Sequence, residues 1–477
     1  MELEGKKVLV IGAARSGVAS ARFLIERGAV VALHDQKQLE DWSDDALALQ
    51  DSGVGLVPGE VPGWLLDQLQ LVVVSPGVPA NIIAIRYAER AGAEVIGEVE
   101  LASRFLRGRI IAITGSNGKT TTTTLVGELL RDAGMHVQVG GNIGKPLISL
   151  LESSEENGWT VVEVSSFQLE SISTFHPAIA LVLNVTPNHM DRYESFNDYA
   201  AAKHRIFINQ TATDTAILNA DDPTTSSWST GLQARVLTFS VQQELQEGLF
   251  LRGSELVARI DGNEQMLLSR EDMKLRGLHN VQNVLGAVAA GIAAGASVPT
   301  MRGTVQRFQP VEHRLEFVAE IDGVEFYNDS KATSVDASLK ALEAFKDHTG
   351  KLILIMGGRG KKAPYAPLRS LIQEKVRQLV LIGEDAETIE RELADYARVT
   401  RATDLRGAVE HSFAAAKQGD VILLAPACAS FDMFESFEHR GNVFKTEVGK
   451  LKSHLRSHES DALRSEQVKS NSQKHGA

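Results

Sequence analysis

Apolar runs too short for a membrane helix alternate along this chain with stretches whose apolar positions recur at helical spacing. Strand-like runs at 7–12, 29–35 and 71–77, with a helical stretch reaching 27 between the first two, predict a βαβ unit. A second α/β unit opens at 109–114 and leads into a helical pattern at 120–132. Buried-strand patterns follow at 159–164, 179–184 and 215–219. From about 236 to 270 strict alternation takes over, with Asp261-Gly262 predicting a hairpin turn, and 280–294 reads as an Ala-rich helix. A third unit opens with a hairpin over 317–329 that turns at Asp322-Gly323, then shows strands at 352–356, 379–382 and 421–424.

This pattern predicts an α/β protein of three domains. They are a Rossmann-like domain over 1–98, a central phosphate-loop domain over 99–310 with a parallel sheet plus a small antiparallel one, and a Rossmann-like domain over 311–452. Residues 453–477 have no aromatic side chain and little periodicity, which predicts an unstructured tail.

Composition narrows the function classes. The 477 residues carry 49 basic and 61 acidic side chains, a net charge of −12, which argues against generic nucleic-acid binding. Hydrophobic residues make up 43% of the chain, enough for several cores. A single cysteine, Cys428, excludes an internal disulfide framework and a Cys-rich zinc site, and fits a reducing compartment. The first residues lack a signal-peptide pattern and no apolar run approaches a membrane span, so a cytoplasmic protein without membrane insertion is expected.

The strongest chemical signal is Thr114-Gly-Ser-Asn-Gly-Lys-Thr120, set between a predicted buried strand and a helix. In that setting successive backbone N–H groups and the helix N-terminus face an anion. Lys119 reaches the outer phosphates, and the Thr120 hydroxyl suits Mg²⁺. The full phosphate-loop pattern has a leading glycine where this chain has Ile113, so the loop is a shortened variant. Glu163, inside the apolar run Val161-Val-Glu-Val164, is a carboxylate that burial disfavours unless it is paired or bound to a metal. His189 follows the strand ending at Asn184 and is a candidate for metal binding or proton transfer. The weaker motif Gly12-Ala-Ala-Arg-Ser-Gly17, with Asp35 closing the next strand, is close to a dinucleotide fingerprint. Ala14 stands at its middle glycine, which disfavours a nicotinamide dinucleotide but leaves phosphate binding open.

Together with Gly140-Gly-Asn-Ile-Gly144, Ser165-Ser-Phe-Gln-Leu-Glu170, Gly277-Leu-His-Asn-Val-Gln-Asn283, His313-Arg314, Asn328-Asp-Ser-Lys-Ala-Thr333 and Pro426-Ala-Cys-Ala-Ser430, the phosphate loop makes the chain resemble the Mur ligases. These are ATP-dependent amide-bond ligases of peptidoglycan synthesis. The segment 426–441 is most similar to the D-glutamate-adding branch, and the Asp-Asn-Pro-Arg signature of the diaminopimelate-adding branch is absent. The resemblance implies that Gly115, Ser116, Asn117, Gly118, Lys119, Thr120 and Thr121 hold the ATP phosphates, and that Thr120 and Glu163 ligate a first Mg²⁺. His189 and Lys203 match the positions for a second ion, the lysine being carbamylated in relatives; Lys203 by itself reads as an ordinary solvated helix charge. Asn283 falls on the adenine side, while Arg314, Asp329 and Lys331 would reach phosphates and ribose from the third domain.

The same resemblance implies UDP-N-acetylmuramoyl-L-alanine and D-glutamate as substrates and a monomeric enzyme. Arg15, Ser16, Asp35, Gln36, Lys37, Ser75, Asn142 and Ser165 fall on the UDP-sugar loops, and Thr333, Lys361, Ser430 and Phe437 on the D-glutamate pocket. Arg15, Gln36 and Phe431 depart from the family's usual residues. The implied chemistry is an acyl phosphate attacked by the amine, completed by closure of the third domain. Three rival readings stand beside it: a folylpolyglutamate-type ligase, an NAD-dependent oxidoreductase using the first glycine loop, and a non-catalytic nucleotide-binding partner of the division apparatus.

Overall fold

A computed structural model of Met1–Ala477 describes the protein except for residues 80, 81, 189, 191, 276, 310, 311, 347, 362 and 475–477, and the side chains of 456–474. The chain divides into two units: Met1–Lys274 with Asn280–Phe308, and Leu275–His279 with Gln309–Ala477. The first unit contains two α/β domains and the second contains one.

In the first domain β1 (Lys7–Ile11), β2 (Val30–Asp35), β3 (Gly55–Pro58), β4 (Leu71–Val74) and β5 (Glu94–Gly97) form a wholly parallel sheet in the order β3-β2-β1-β4-β5. The order reverses at β1, so a crevice opens at its carboxyl end beside helix α1 (Arg15–Glu26). Helix α2 (Glu98–Ser103) follows β5 and is tied to the middle domain by two acidic side chains. Glu98 accepts the Ile148 amide at 2.7 Å, and Glu100 accepts the amides of Ser173, Thr174 and Phe175 at about 3 Å.

The middle domain is a single nine-stranded sheet. Its strands are β6 (Arg109–Thr114), β7 (Val137–Gly141), β8 (Trp159–Glu163), β9 (Ile179–Val182), β10 (Thr215–Asn219), β11 (Arg235–Ser240), β12 (Gly248–Arg252), β13 (Glu255–Ile260) and β14 (Asn263–Ser269). The order β14-β13-β12-β11-β10-β9-β6-β8-β7 is parallel as far as β12, and β12-β13-β14 pair antiparallel. The alternating segment therefore continues the parallel sheet through the β11–β12 pairing rather than forming a separate sheet. Helix α3 (Lys119–Asp132) begins with five consecutive threonines, Thr120–Thr124, which are weak helix formers. Thr120, Thr121, Thr122 and Thr123 are buried, so tertiary packing holds this turn where propensity does not. Helices α4 (Phe196–His204) and α5 (Leu278–Ala293) complete the surroundings of the loop within the domain.

The second unit holds β15 (Glu316–Ile321), β16 (Val324–Asn328), β17 (Leu352–Gly357), β18 (Val376–Ile382), β19 (Arg398–Arg401) and β20 (Val421–Leu424), ordered β15-β16-β20-β17-β18-β19. Only β15–β16 is antiparallel, the hairpin turning at Asp322-Gly323. Strand β20, last in sequence, lies between β16 and β17, so three loops from distant parts of the chain leave the sheet side by side. Helix α6 runs Phe437–Lys474 through most of the segment expected to lack structure. Leu451 and Leu455 pack against the apolar cluster under the sheet, and the run beyond is rich in the unbranched residues that helices tolerate. Lack of apolar periodicity in a sequence therefore does not by itself exclude a helix. No helix among the described residues is long and apolar enough to cross a membrane.

Candidate active site

The loop between β6 and α3 is held open by its own glycines. Gly115 and Gly118 have φ of +154° and +83°, and a Cβ on Gly118 would lie 2.1 Å from Asn283 Oδ1. Asn283 thus packs against the phosphate loop, with its Nδ2 donating to Asn280 Oδ1 at 3.0 Å. The far side of the loop is fixed by Asn184, whose Oδ1 accepts the Asn117 amide at 2.9 Å and whose backbone carbonyl accepts the Ser116 amide. Ser116 Oγ lies 3.0 Å from Tyr199 Oη and accepts the Thr186 amide.

Three charged side chains converge at this loop. Lys119 Nζ donates to the Gly115 and Ser116 carbonyls at 2.9 and 3.0 Å. Thr120 Oγ1 donates to Glu163 Oε2 at 2.9 Å, and Asn142 Nδ2 donates to Glu163 Oε1 at 3.0 Å. Lys203, only 1% exposed, donates to the Gly115 carbonyl at 2.9 Å, with its ammonium 4.7 Å from the Tyr199 ring centroid. Burial, and then the neighbouring Lys119 cation, hold the Lys203 amine well below its ordinary lysine range. The expectation of a solvated helix charge at Lys203 is therefore overturned. The spacing Tyr199-Ala-Ala-Ala-Lys203, one helical turn, already places ring and amine on one face.

Glu163 with Thr120 offers the hard oxygen donors that Mg²⁺ prefers, on a buried carboxylate. No group of three or more His, Cys, Asp or Glu side chains is gathered for a metal among those residues, and His189 lies outside them. Asn142 is set by a local constraint. Gly141 pairs with Glu163 across β7–β8 at φ +100°, and a Cβ there would lie 2.5 Å from the Glu163 carbonyl. The glycine lets the strand end close on Glu163 and leaves the next residue pointing at its carboxylate.

Asn142 also lines a cavity of about 580 Å³ at the β1 crevice, with Gly12, Arg15, Ser16, Asp35, Gln36, Ser75 and Gln168. Six of the eight residues expected there line it. Lys37 and Ser165 do not: the Lys37 amide donates to Asp35 Oδ1 at 3.1 Å, and Ser165 caps helix Ser166–Glu170, whose Gln168 faces the cavity instead. Asp35 Oδ2 also accepts the Ala13 amide at 2.9 Å, so this carboxylate braces the glycine turn. A Cβ on Gly17 would lie 1.7 Å from the Gly12 carbonyl, which makes the last glycine of the motif obligatory for helix–turn packing.

In the second unit, the loops after β16 and β20 meet. Lys331 Nζ lies 4.5 Å from the Phe437 ring centroid, the Ala427 amide donates to the Ala332 carbonyl at 2.8 Å, and Ser430 is buried. Arg359 and Ala429 exchange backbone hydrogen bonds, bringing the β17 loop that leads to Lys361 alongside. Thr333 sits on the β16 loop through its amide to the Lys331 carbonyl. Asp329, beside Arg314, accepts the Leu315 amide at 3.3 Å, and burial raises its carboxyl to about 7. Cys428 is buried against Tyr365, its Sγ 3.1 Å from the phenol oxygen, as a small packing residue of the loop. Arg440, not singled out by any sequence pattern, is wholly buried among these loops.

Comparison with known proteins places these elements in a known arrangement. Residues 6–97 match the Mur ligase MurD-like N-terminal domain, 113–291 the Mur ligase middle domain and 313–428 the Mur ligase glutamate ligase domain. The chain is 48% identical over 447 residues to a UDP-N-acetylmuramoylalanine–D-glutamate ligase of Acidobacterium capsulatum, covering 93% of this chain and 96% of the relative. It is 48% identical over 451 residues to the enzyme of that name from Solibacter usitatus, covering 94% and 99%. Among solved structures, a pseudomurein peptide ligase type C from Methanothermus fervidus aligns with a TM-score of 0.61 at 18% identity, covering 94% of this chain and all of that one. The UDP-N-acetylmuramate–alanine ligase of Thermotoga maritima gives 0.58 at 20%, with the same coverage. Those two likenesses concern the fold.

Proposed function

The chain belongs to the Mur ligase family, and we infer that it joins D-glutamate to UDP-N-acetylmuramoyl-L-alanine in peptidoglycan precursor synthesis, with ATP converted to ADP and phosphate. The observation that carries this reading is the unbroken link Thr120–Glu163–Asn142. It runs from a phosphate loop to the wall of a cavity large enough for a sugar nucleotide. The dinucleotide-oxidoreductase reading is opposed by relatives named as ligases over 93% and 94% of the chain.

Joining two ions as an amide needs an activated acid. The loop amides and the N-terminus of α3 receive the ATP phosphates, and Lys119 turns from the Gly115 and Ser116 carbonyls to the outer phosphate oxygens. Thr120 and Glu163 would hold Mg²⁺, which when bound offsets the negative charge gathered between the phosphates and the approaching carboxylate. The alanyl carboxylate, delivered from the cavity past Asn142, attacks the γ-phosphorus. One P–O bond forms as the bond to ADP breaks, giving an acyl phosphate. The neutral amine of D-glutamate then attacks the acyl carbon, loses a proton and expels phosphate.

Lys203 and His189 are proposed for a second ion, with Lys203 carbamylated. Burial favours the neutral amine, the form that adds CO₂ to give a carboxylate-like group and release a proton. A mass gain of one CO₂ on the peptide containing Lys203, measured without acid, tests this; an unmodified peptide from active enzyme overturns it. Asn283, Arg314, Asp329 and Lys331 are proposed as nucleotide contacts, and Thr333, Lys361, Ser430 and Phe437 as the D-glutamate pocket. A cytoplasmic monomer is the proposed working form.

Phosphate release with UDP-N-acetylmuramoyl-L-alanine and a panel of amino acids tests the reading as a whole. D-glutamate should be strongly preferred; equal rates with L-glutamate or L-lysine would overturn the assignment.

A further inference from the structure

Arg440 is the largest of the wholly buried side chains and has no carboxylate within ion-pair distance among the described residues. It stands in the first turn of α6, at the carboxyl ends of β16, β20 and β17. Nε donates to Ser330 Oγ at 2.9 Å and Nη2 to the Ser330 carbonyl at 2.8 Å, both on the β16 loop. Nη1 and Nη2 each donate to the Cys428 carbonyl at 3.2 Å on the β20 loop, and Nη1 to the Gly357 carbonyl at 3.5 Å where the β17 loop begins. Ser330 Oγ in turn donates to the Phe437 carbonyl at 2.8 Å. The anion that influences it at longer range, Asp432, uses Oδ2 to accept the Glu384 amide.

A guanidinium is costly to bury, and a hydrophobic side chain would fill the space without that cost. What an apolar residue could not do is join three loops through one planar group with five donors in fixed directions. Those loops carry the residues placed in the amino-acid site: Thr333 lies three positions beyond Ser330, Ser430 two beyond Cys428, and Lys361 four beyond Gly357. Burial lowers the guanidinium only to about 10, so it remains charged at neutral pH. Gly358 lets the loops close to this distance, since a Cβ there would lie 2.3 Å from the Ala429 carbonyl.

We propose that Arg440 is a positioning residue for the amino-acid substrate, its planar fork setting the spacing of the three strand-end loops that bind D-glutamate. This deepens the functional reading above and rests on it for the identity of the amino acid. It acts through Thr333, Ser430 and Lys361 and touches no reacting atom.

The test uses the full-length enzyme with all three substrates. Arg440→Lys keeps a cation but lacks the fork, and Ser330→Ala removes one acceptor while leaving the arginine. KM for D-glutamate should rise roughly tenfold or more in Arg440→Lys and by a smaller factor in Ser330→Ala. KM for ATP and for the UDP-sugar should stay within about twofold in both. An unchanged D-glutamate KM in Arg440→Lys, or a parallel rise in all three constants, overturns the proposal. If Arg440→Lys does not fold, an unchanged D-glutamate KM in Ser330→Ala overturns it instead. Wild-type enzyme that ignores D-glutamate would sink the functional reading alone, and the same variants are then measured against the amino acid it selects.

Discussion

Lys203 in the middle domain and Arg440 in the third are both wholly buried bases at the carboxyl ends of strands, and the protein treats them in opposite ways. Lys203 makes one close hydrogen bond to the Gly115 carbonyl, and burial with Lys119 alongside pushes its amine toward the neutral form. Arg440 commits its donors to carbonyl and hydroxyl oxygens on three loops and keeps its proton. An ammonium can shed charge when water is removed, and the product is a nucleophile; a guanidinium cannot, so it serves as a rigid connector. Burial thus leaves one region a base suited to act as a reagent and the other a base suited only to a scaffold.

The contrast breaks at once if the middle-domain loop is not the chemical centre. Lys119→Ala should lower phosphate release by roughly three orders of magnitude or more while leaving the melting temperature near wild type. Retained turnover would remove the phosphate loop from the mechanism. Exchanging the base at the other position is the sharper probe. Lys203→Arg installs a cation that cannot be neutralised in a space shaped for an amine, and should destabilise the protein by roughly 3–5 kcal/mol and abolish turnover. Denaturant unfolding that shows no loss would mean that Lys203 is not effectively buried.

Glu98 is the acidic counterpart of this pair. Burial raises its carboxyl to about 7, against the hydrogen bonds from the 147 and 148 amides, and Oε2 has no hydrogen-bond partner among the described residues. A carboxyl raised on folding contributes most below its unfolded pKa, and that contribution disappears as pH rises through 7. The stability of wild type relative to Glu98→Gln should therefore fall between about pH 4 and 8, by on the order of 3 kcal/mol. A difference that stays flat with pH would show that Glu98 is ionised in the fold. Glu100, two residues on, is held at about 2 by hydrogen bonds from the 173–175 segment and Arg104 that outweigh its burial, so its contribution runs the other way and is lost on acidification. The smallest effect concerns the loop backbone. Gly118→Ala forces an alanine into φ +83° against Asn283 and should cost about 1–2 kcal/mol, with a larger loss in ATP binding than Ala at Gly134.

The central strands and the phosphate loop are legible in the sequence because full burial demands continuous apolar runs, as in Ile110 to Ile113, and because an anion cradle demands glycines at fixed places. The strands that escape a sequence reading, β3, β5, β7 and β19, are all edge strands. They are short and half exposed, so they carry neither a continuous run nor a clean alternation. Lys203 looks like a surface lysine because its burial comes from β6 and the loop after it, 88 residues earlier in the chain. Arg440 leaves no local trace for the same reason: its partners are set by sheet order, which brings Ser330, Gly357 and Cys428 together. Gln168 could have been suspected from its capping-box spacing with Ser165, although that spacing does not say that its other face meets the cavity.

Asn142 gives the molecule a shared vulnerability. One amide lines the cavity at the β1 crevice, proposed above for the UDP-sugar, and steadies Glu163 beside the phosphate loop. A compound that filled the cavity and captured this amide would loosen Glu163 as well, so one inhibitor would impair the sites of two substrates. A bacterium that escaped it by changing Asn142 would inherit the same defect, which closes the simplest route to resistance.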